Sequence, residues 1–369
     1  MKRWGRFSAL AVCFVVACSF LTGLRGQAQG QAYRQIALIQ IPGVPPQSGV
    51  FAYDISWVDP GTHRYYLGDR TNNGIDVVDT MTNRFLYRMA QGQFVGFTGK
   101  NDTSGPDGVL VIPDQHTAWV GDGRSRVKII GTRSGLVQAT ISTGTTANRA
   151  DELAYDPVDH LIAIANNADD PPFLTFISTT ERRVVGKVVF ADATDGAEQP
   201  VYEPTTGMIF ISIPETKALP GGAVGRIDPK TMKLVATHPT PACNPAGLAV
   251  GPQGRLLVGC GAISAGAHAQ VHVMDARDGR IIATITQVGA TDEVWYNPGD
   301  NRYYLAARNM TATGMKGGLL TPVLGIIDAS TNQWITNVPT GTGAHSVAVD
   351  PTTNRAYLPV PTGIAVFSR

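Results

Sequence analysis

The chain is predicted to fold as an all-β, seven-bladed β-propeller, and three observations carry that expectation. A short pattern recurs seven times: DISWVDP from Asp54, DGVLVIP from Asp107, DELAYDP from Asp151, EQPVYEP from Glu198, AGLAVGP from Ala246, DEVWYNP from Asp292 and HSVAVDP from His345. Its starts lie about 44 to 53 residues apart, the period of a four-stranded propeller blade. Beyond the first thirty residues, long amphipathic helical periodicity is absent, and short alternating runs separated by Gly, Pro, Asn and Asp turns take its place.

The elements follow in order. Residues 1–32 are expected to be an export signal. MKRWGR is a basic start, Phe7 to Leu24 is apolar, and RGQAQGQA offers small residues for cleavage near Ala28 or Ala32. VVAC, ending at Cys18, also fits the pattern before a lipid-modified cysteine, although Ser19, Phe20 and Leu21 prolong the apolar run. Ordinary cleavage, a lipid anchor and an uncleaved anchor all remain open, and each puts the mature protein outside the cytoplasm, periplasmic or secreted. Residues 33–369 are expected to form one propeller domain. QIALIQI (35–41) is a strand with no neighbour of its own. Blade 1 runs VDPGTHRYYLGDRTNNGIDVVDTMTNRFLYRM, blade 6 holds YNPGDNRYYLAARN and LGIIDASTNQWITNV, and blade 7 is VDPTTNRAYLPVPTGIAVF. After His345 only three strands remain, so QIALIQI is expected to complete blade 7 and leave no open inner edge.

Composition agrees with a compact β fold: 43% hydrophobic and 16% charged residues exclude a disordered chain. The net charge is +1; without Lys2, Arg3, Arg6 and Arg25 of the signal, 26 basic residues face 29 acidic ones, a net of −3. That balance argues against nucleic-acid and anionic-membrane partners. No membrane span is expected in the mature chain, and a monomer is expected.

Two of the four cysteines, Cys13 and Cys18, fall in the signal. The others flank a hairpin, CNPAGLAVGPQGRLLVGC, in which Cys260 lies opposite about position 245. A Cys243–Cys260 disulfide is therefore feasible if the strand entry bends, and an oxidising compartment favours it.

In a propeller the innermost strands start together at one mouth of the central channel. Asp54, Asp107, Asp151, Glu198, Ala246, Asp292 and His345 are thus expected to form a ring: five carboxylates, one imidazole and a gap. Glu152, Gln199, Glu293 and Ser346 come next along, and Asn244 just before its strand. Crowded carboxylates must take up protons, bond to backbone amides or share a cation. A divalent cation, calcium above all, suits several oxygen ligands of flexible geometry, with Asp54, Asp107, Asp151, Glu198, Asp292 and His345 as the metal set. Simple capping of each blade's entry loop is the alternative. The loops at this end are long (90–105, 166–173, 214–223, 261–270 and 308–322), and Phe94, Phe97, Leu219, Met310 and Met315 are candidate walls for a small-molecule or protein ligand. His63, His116 and His160 fall in short turns at the other end. His272 lies in a strand, and His238 and His268 are placed on loops of the long-loop face.

Overall the repeats resemble the YVTN-type seven-bladed propellers of bacterial exported proteins, carried by DPGTHRYYLGD with GIDVVDT and by DPTTNRAYLPV with GIAVF, over about residues 33–369. That resemblance implies the fold and little about activity. GPDGVLVIP and NPAGLAVGP are also similar to first strands of the gluconolactonase, paraoxonase and strictosidine-synthase group. In the first two, Glu, Asn and Asp from several blades hold a metal at the channel mouth for lactone or ester hydrolysis. Here Asp107 and Ala246 stand where Asn is expected.

No haem-attachment CxxCH, GxSxG elbow, P-loop or GxGxxG loop is present. Two function classes remain: a non-catalytic propeller that holds an ion, small ligand or partner in its acidic mouth, and a metal-dependent lactonase or esterase. In the second, Asp151, Glu293 or His345 would activate water.

Overall fold

The recurring pattern forms the innermost strand of each blade in the computed structural model, which describes residues 1, 32–44, 51–144 and 147–369. The expected export signal lies, apart from its end residues, outside the described residues. Tyr33–Ser368 is one compact unit. It consists of seven four-stranded antiparallel sheets, each built from consecutive strands except the last. The innermost strands of blades 1 to 7 are Tyr53–Asp59, Val109–Ile112, Leu153–Asp156, Pro200–Glu203, Pro245–Val250, Val294–Asn297 and Ala348–Asp350. In blade 7 the outermost strand is the N-terminal Arg34–Ile39, paired antiparallel with Gly363–Ser368 from Arg34↔Ser368 to Ile39↔Ile364.

Burial follows position in the blade. Second strands such as Leu161–Asn166 are buried at every residue because both faces pack against neighbouring blades, whereas fourth strands such as Arg84–Met89 are largely exposed to solvent. A separate apolar cluster fills each space between blades. Between blades 7 and 1 it joins Ile39, Tyr53, Leu67, Tyr357 and Val366.

In five blades, all but 2 and 5, where Ile112 and Gly251 stand, the acid or amide before the Pro closes the first turn. Asp59 accepts from Gly61 N and Thr62 Oγ1, Glu203 from Thr205 and Thr206, and Asp350 from Thr352 N. This is the side-chain turn chemistry that makes Asp and Asn common there. His63, His116 and His160 occupy left-handed positions of the first turns of their blades, at φ 55°, 51° and 54°. Each of blades 1 to 6 carries one register shift between its third and fourth strands, as between Val77 and Val78, which tightens the outer twist.

Cys243 and Cys260 form a buried disulfide with Cα atoms 4.5 Å apart. Cys260 pairs with Pro245, and a register shift beyond that pair supplies the bend the bridge needs.

Candidate functional site

Close approach of the innermost strands creates the mouth. A Cβ on Gly108 would lie 2.5 Å from Asp151 O, and one on Gly247 would lie 2.2 Å from Asp292 O. Glycine at the second position of DGVL and AGLA thus lets blades 2 and 5 approach the strands that follow them. The first residues of the pattern converge as expected. Asp54, Asp151, Glu198, Ala246, Asp292 and His345 all line one cavity of about 330 Å³, with Asp107 fully buried behind them.

Two arginines that the sequence reading did not include stand on this ring. Arg70 follows the second strand of blade 1 and Arg149 lies two residues before Asp151; they are 4% and 5% exposed. Arg70 Nη2 donates to Asp54 at 2.7 Å and also to Asp107, while its Nε donates to Pro106 O at 3.2 Å. Arg149 donates to Asp54 at 3.2 Å, approaches Asp107 at 3.6 Å and bonds Asp151 Oδ2 at 2.6 Å. Burial alone would raise Asp54, but Arg70, the hydrogen bond from His345 and Arg149 outweigh it and hold this carboxyl well below the usual range. Two signals were available: three carboxylates buried together call for positive charge among them, and RYYLGDR in blade 1 matches RYYLAAR in blade 6, which places Arg70 and Arg308 at equivalent positions.

His345 joins the same cluster. Its Nε2 lies 3.3 Å from Asp54 Oδ1 and its Nδ1 2.9 Å from Gly343 O, and its ring stacks on Tyr53 at 5.0 Å. Glu293 is occupied differently, accepting from Ser346 Oγ and, at 2.9 Å, from Val347 N, so it ties blade 6 to blade 7.

The other half of the mouth is less fully compensated. Arg308 pairs with Asp292 at 2.8 Å from a partly exposed position. Glu152 is buried among acids. Burial raises its carboxyl well above the ordinary value, and Asp151, Glu293, Glu198 and Asp292 add to the effect. Its Oε2 is buried with no hydrogen-bond partner among the described residues. Glu198 is pushed up to about 8 by burial and then Asp151, with Arg149 opposing. Asp151 rises to about 7 by burial, with Arg149 opposing.

The carboxylates of Asp54, Asp107 and Asp151 offer oxygens within 4.8 Å of one another, a spacing at which three ligands can share an ion. The donor set is nevertheless already engaged by Arg70 and Arg149. A divalent cation placed there would stand against two guanidiniums, so these residues suit a guanidinium better than a metal.

The expected apolar walls do not line the cavity. Phe94 and Met310 are buried in blade packing, and Phe97 is exposed. His238 lies in the strand Lys233–Pro239 opposite Val224, not on a loop, and His272 is packed with Nδ1 3.0 Å from Thr284 Oγ1. Among the described residues no helix is long and apolar enough to cross a membrane.

No protein-family model matches the chain, and no curated protein matches it. Solved structures do. A chain of the mitotic checkpoint complex is 12% identical with a TM-score of 0.68, covering 99% of this chain and 98% of that one. A chain of Kuenenia stuttgartiensis hydrazine synthase is 14% identical, also at 0.68, covering 88% and 98%. At such identities the likeness is one of fold, and the chain is a seven-bladed β-propeller.

Proposed function

We propose that the protein is an exported binding propeller whose mouth takes a small organic cation bearing amine or guanidinium N–H groups. The observation that carries this reading is Glu152: a buried carboxyl with an unpartnered oxygen, lining the cavity and neighboured by acids. Asp151, Glu198 and Asp292 converge on the same space, where Arg149 and Arg308 are the arginines that line the cavity among the described residues. The reading is supported by the other half of the ring, where the chain's own Arg70 and Arg149 place guanidiniums on Asp54, Asp107 and Asp151. A cavity of about 330 Å³ is also the size of a small organic ligand's site rather than an ion's. Binding would displace protons from Glu198 and Asp151, so affinity rises with pH between about 6 and 8.

A second reading, metal-dependent hydrolysis, rests on the spacing of Asp54, Asp107 and Asp151 and on Asp151 as a base near neutrality. One panel separates the two. Thermal unfolding is followed with primary diamines, arginine-like guanidines, calcium, magnesium, manganese and zinc. An organic cation at 100 times its Kd should add about 2.7 kcal/mol to stability, and Glu152→Gln with Glu198→Gln should remove the gain. Stabilisation by a divalent metal alone, lost in Asp151→Asn, would replace the first reading by the second. No response to any cation would make the ring a structural cap.

A further inference from the structure

The innermost strands run on from the mouth into a second cavity. At about 3.3 Å per residue, the four steps from Asp151 to Tyr155 carry the chain roughly 13 Å along the channel. There a cavity of about 430 Å³ opens, lined by residues of six innermost strands, and among the described residues none of its lining side chains is charged. The contrast with the acidic mouth is complete, although the same strands build both.

The lining is asymmetric. Trp57 of blade 1 and Trp295 of blade 6 meet edge to face, with ring centroids 5.2 Å apart at 75°. Both are only half-buried. Blades 1 and 6 flank blade 7, so blades 3 and 4 stand across the channel. The same position of the repeated pattern there is Ala154 and Val201, and these small side chains leave the space open. Two polar groups at the edge are engaged: Tyr296 donates to Asn301 Oδ1 at 2.8 Å, and Gln199 Oε1 accepts from Leu248 N at 2.7 Å. Apart from the hydroxyls of Tyr155 and Tyr202, the rest of the lining is aromatic and aliphatic surface, in a volume typical of small-molecule sites.

We propose that this end of the channel is a second binding site, for a neutral small molecule carrying a flat apolar ring. An ionised ligand would be desolvated without a counter-charge, whereas a neutral ring gains contact with two indoles and excludes water from the aliphatic wall. The site is independent of the cation site at the mouth, because the two share no charged residue.

The neutral dye N-phenyl-1-naphthylamine tests this on the full mature chain, read by dye emission and by energy transfer from tryptophan. One saturable site per chain is expected. Val250→Asp, which puts a carboxylate at a half-buried lining position, and Trp295→Leu, which removes one indole, should each weaken binding about tenfold or more, or about 1.4 kcal/mol. Neither should alter the response to cations at the mouth. If one variant fails to fold, the other decides. Absence of saturable binding, or unchanged binding in the folded variants, overturns the proposal.

Discussion

Replacing Arg149 by methionine should be among the most damaging single changes to this protein. The methionine keeps most of the aliphatic bulk and deletes the guanidinium. Asp151 then loses its 2.6 Å partner, Asp54 keeps Arg70 and His345, and Asp107 keeps Arg70. Removing one partner from a buried ionic cluster costs about 3–5 kcal/mol, because the remaining charges stay buried without compensation. That is a large share of a typical stability of about 5–15 kcal/mol. The sign of the pH dependence follows from the carboxyls. In the folded wild type Glu198 and Asp151 hold protons up to about 8 and about 7, whereas unfolded they release them near the ordinary 4.5 and 3.8. The folded state therefore binds more protons in that window, and stability falls as pH rises from about 5 to 8, by about 1.4 kcal/mol per pH unit for each retained proton. Arg149 opposes the upward shift of both groups. Without it their folded pKa values rise further, and the deficit of the variant should grow with pH. Urea unfolding at pH 5 and pH 8 measures this, with a shifted midpoint and unchanged slope. Arg183→Ala is the control, since the Arg183–Glu181 pair is 63% and 54% exposed and its loss should stay within about 0.5 kcal/mol. A deficit for Arg149→Met no larger than the control's, or equal at both pH values, would refute the role given to this guanidinium.

Two further outcomes follow from the covalent and strand connections. Cys243 and Cys260 enclose a short loop, with a sequence separation of 17, so replacing both by serine should lower stability by about 3 kcal/mol in the chain-entropy account. Peptide mapping without reductant should show the two linked in exported protein, and two free thiols there would contradict the bridge. Deleting residues 33–42 removes the strand paired with Gly363–Ser368 and the buried Ile39 and Ile41. At about 1.5–3 kcal/mol for each buried isoleucine the loss should reach several kcal/mol, and the bared edge should promote self-association. A truncated chain that melts with the parent and elutes as a monomer would count against that strand's role.

Blade number, strand order and the Cys243–Cys260 hairpin were legible in the sequence because each depends on short-range chemistry, and the pairing of Arg34–Ile39 with the last strand followed by elimination, since blade 7 lacked a fourth strand of its own. Turn residues punctuate the strands, alternation marks the faces, and a period near that of one blade recurs seven times. Convergence of Asp54, Asp107, Asp151, Glu198, Asp292 and His345 was legible for the same reason: equivalent positions in a rotational repeat must meet at the axis. Arg70 and Arg149 were not read there. Arg70 follows the second strand of blade 1 at the position Arg308 holds in blade 6, RYYLGDR beside RYYLAAR, and each pairs with the first acid of its own blade's pattern. Arg149 reaches the axis from a loop, and nothing local distinguishes it from other arginines such as Arg183. Tertiary structure also decided which acids are neutralised and which, like Glu152, are left with acidic neighbours. The reason is physical: burial and the distance between charges set a carboxylate's state, and both arise only when seven blades stand around one channel.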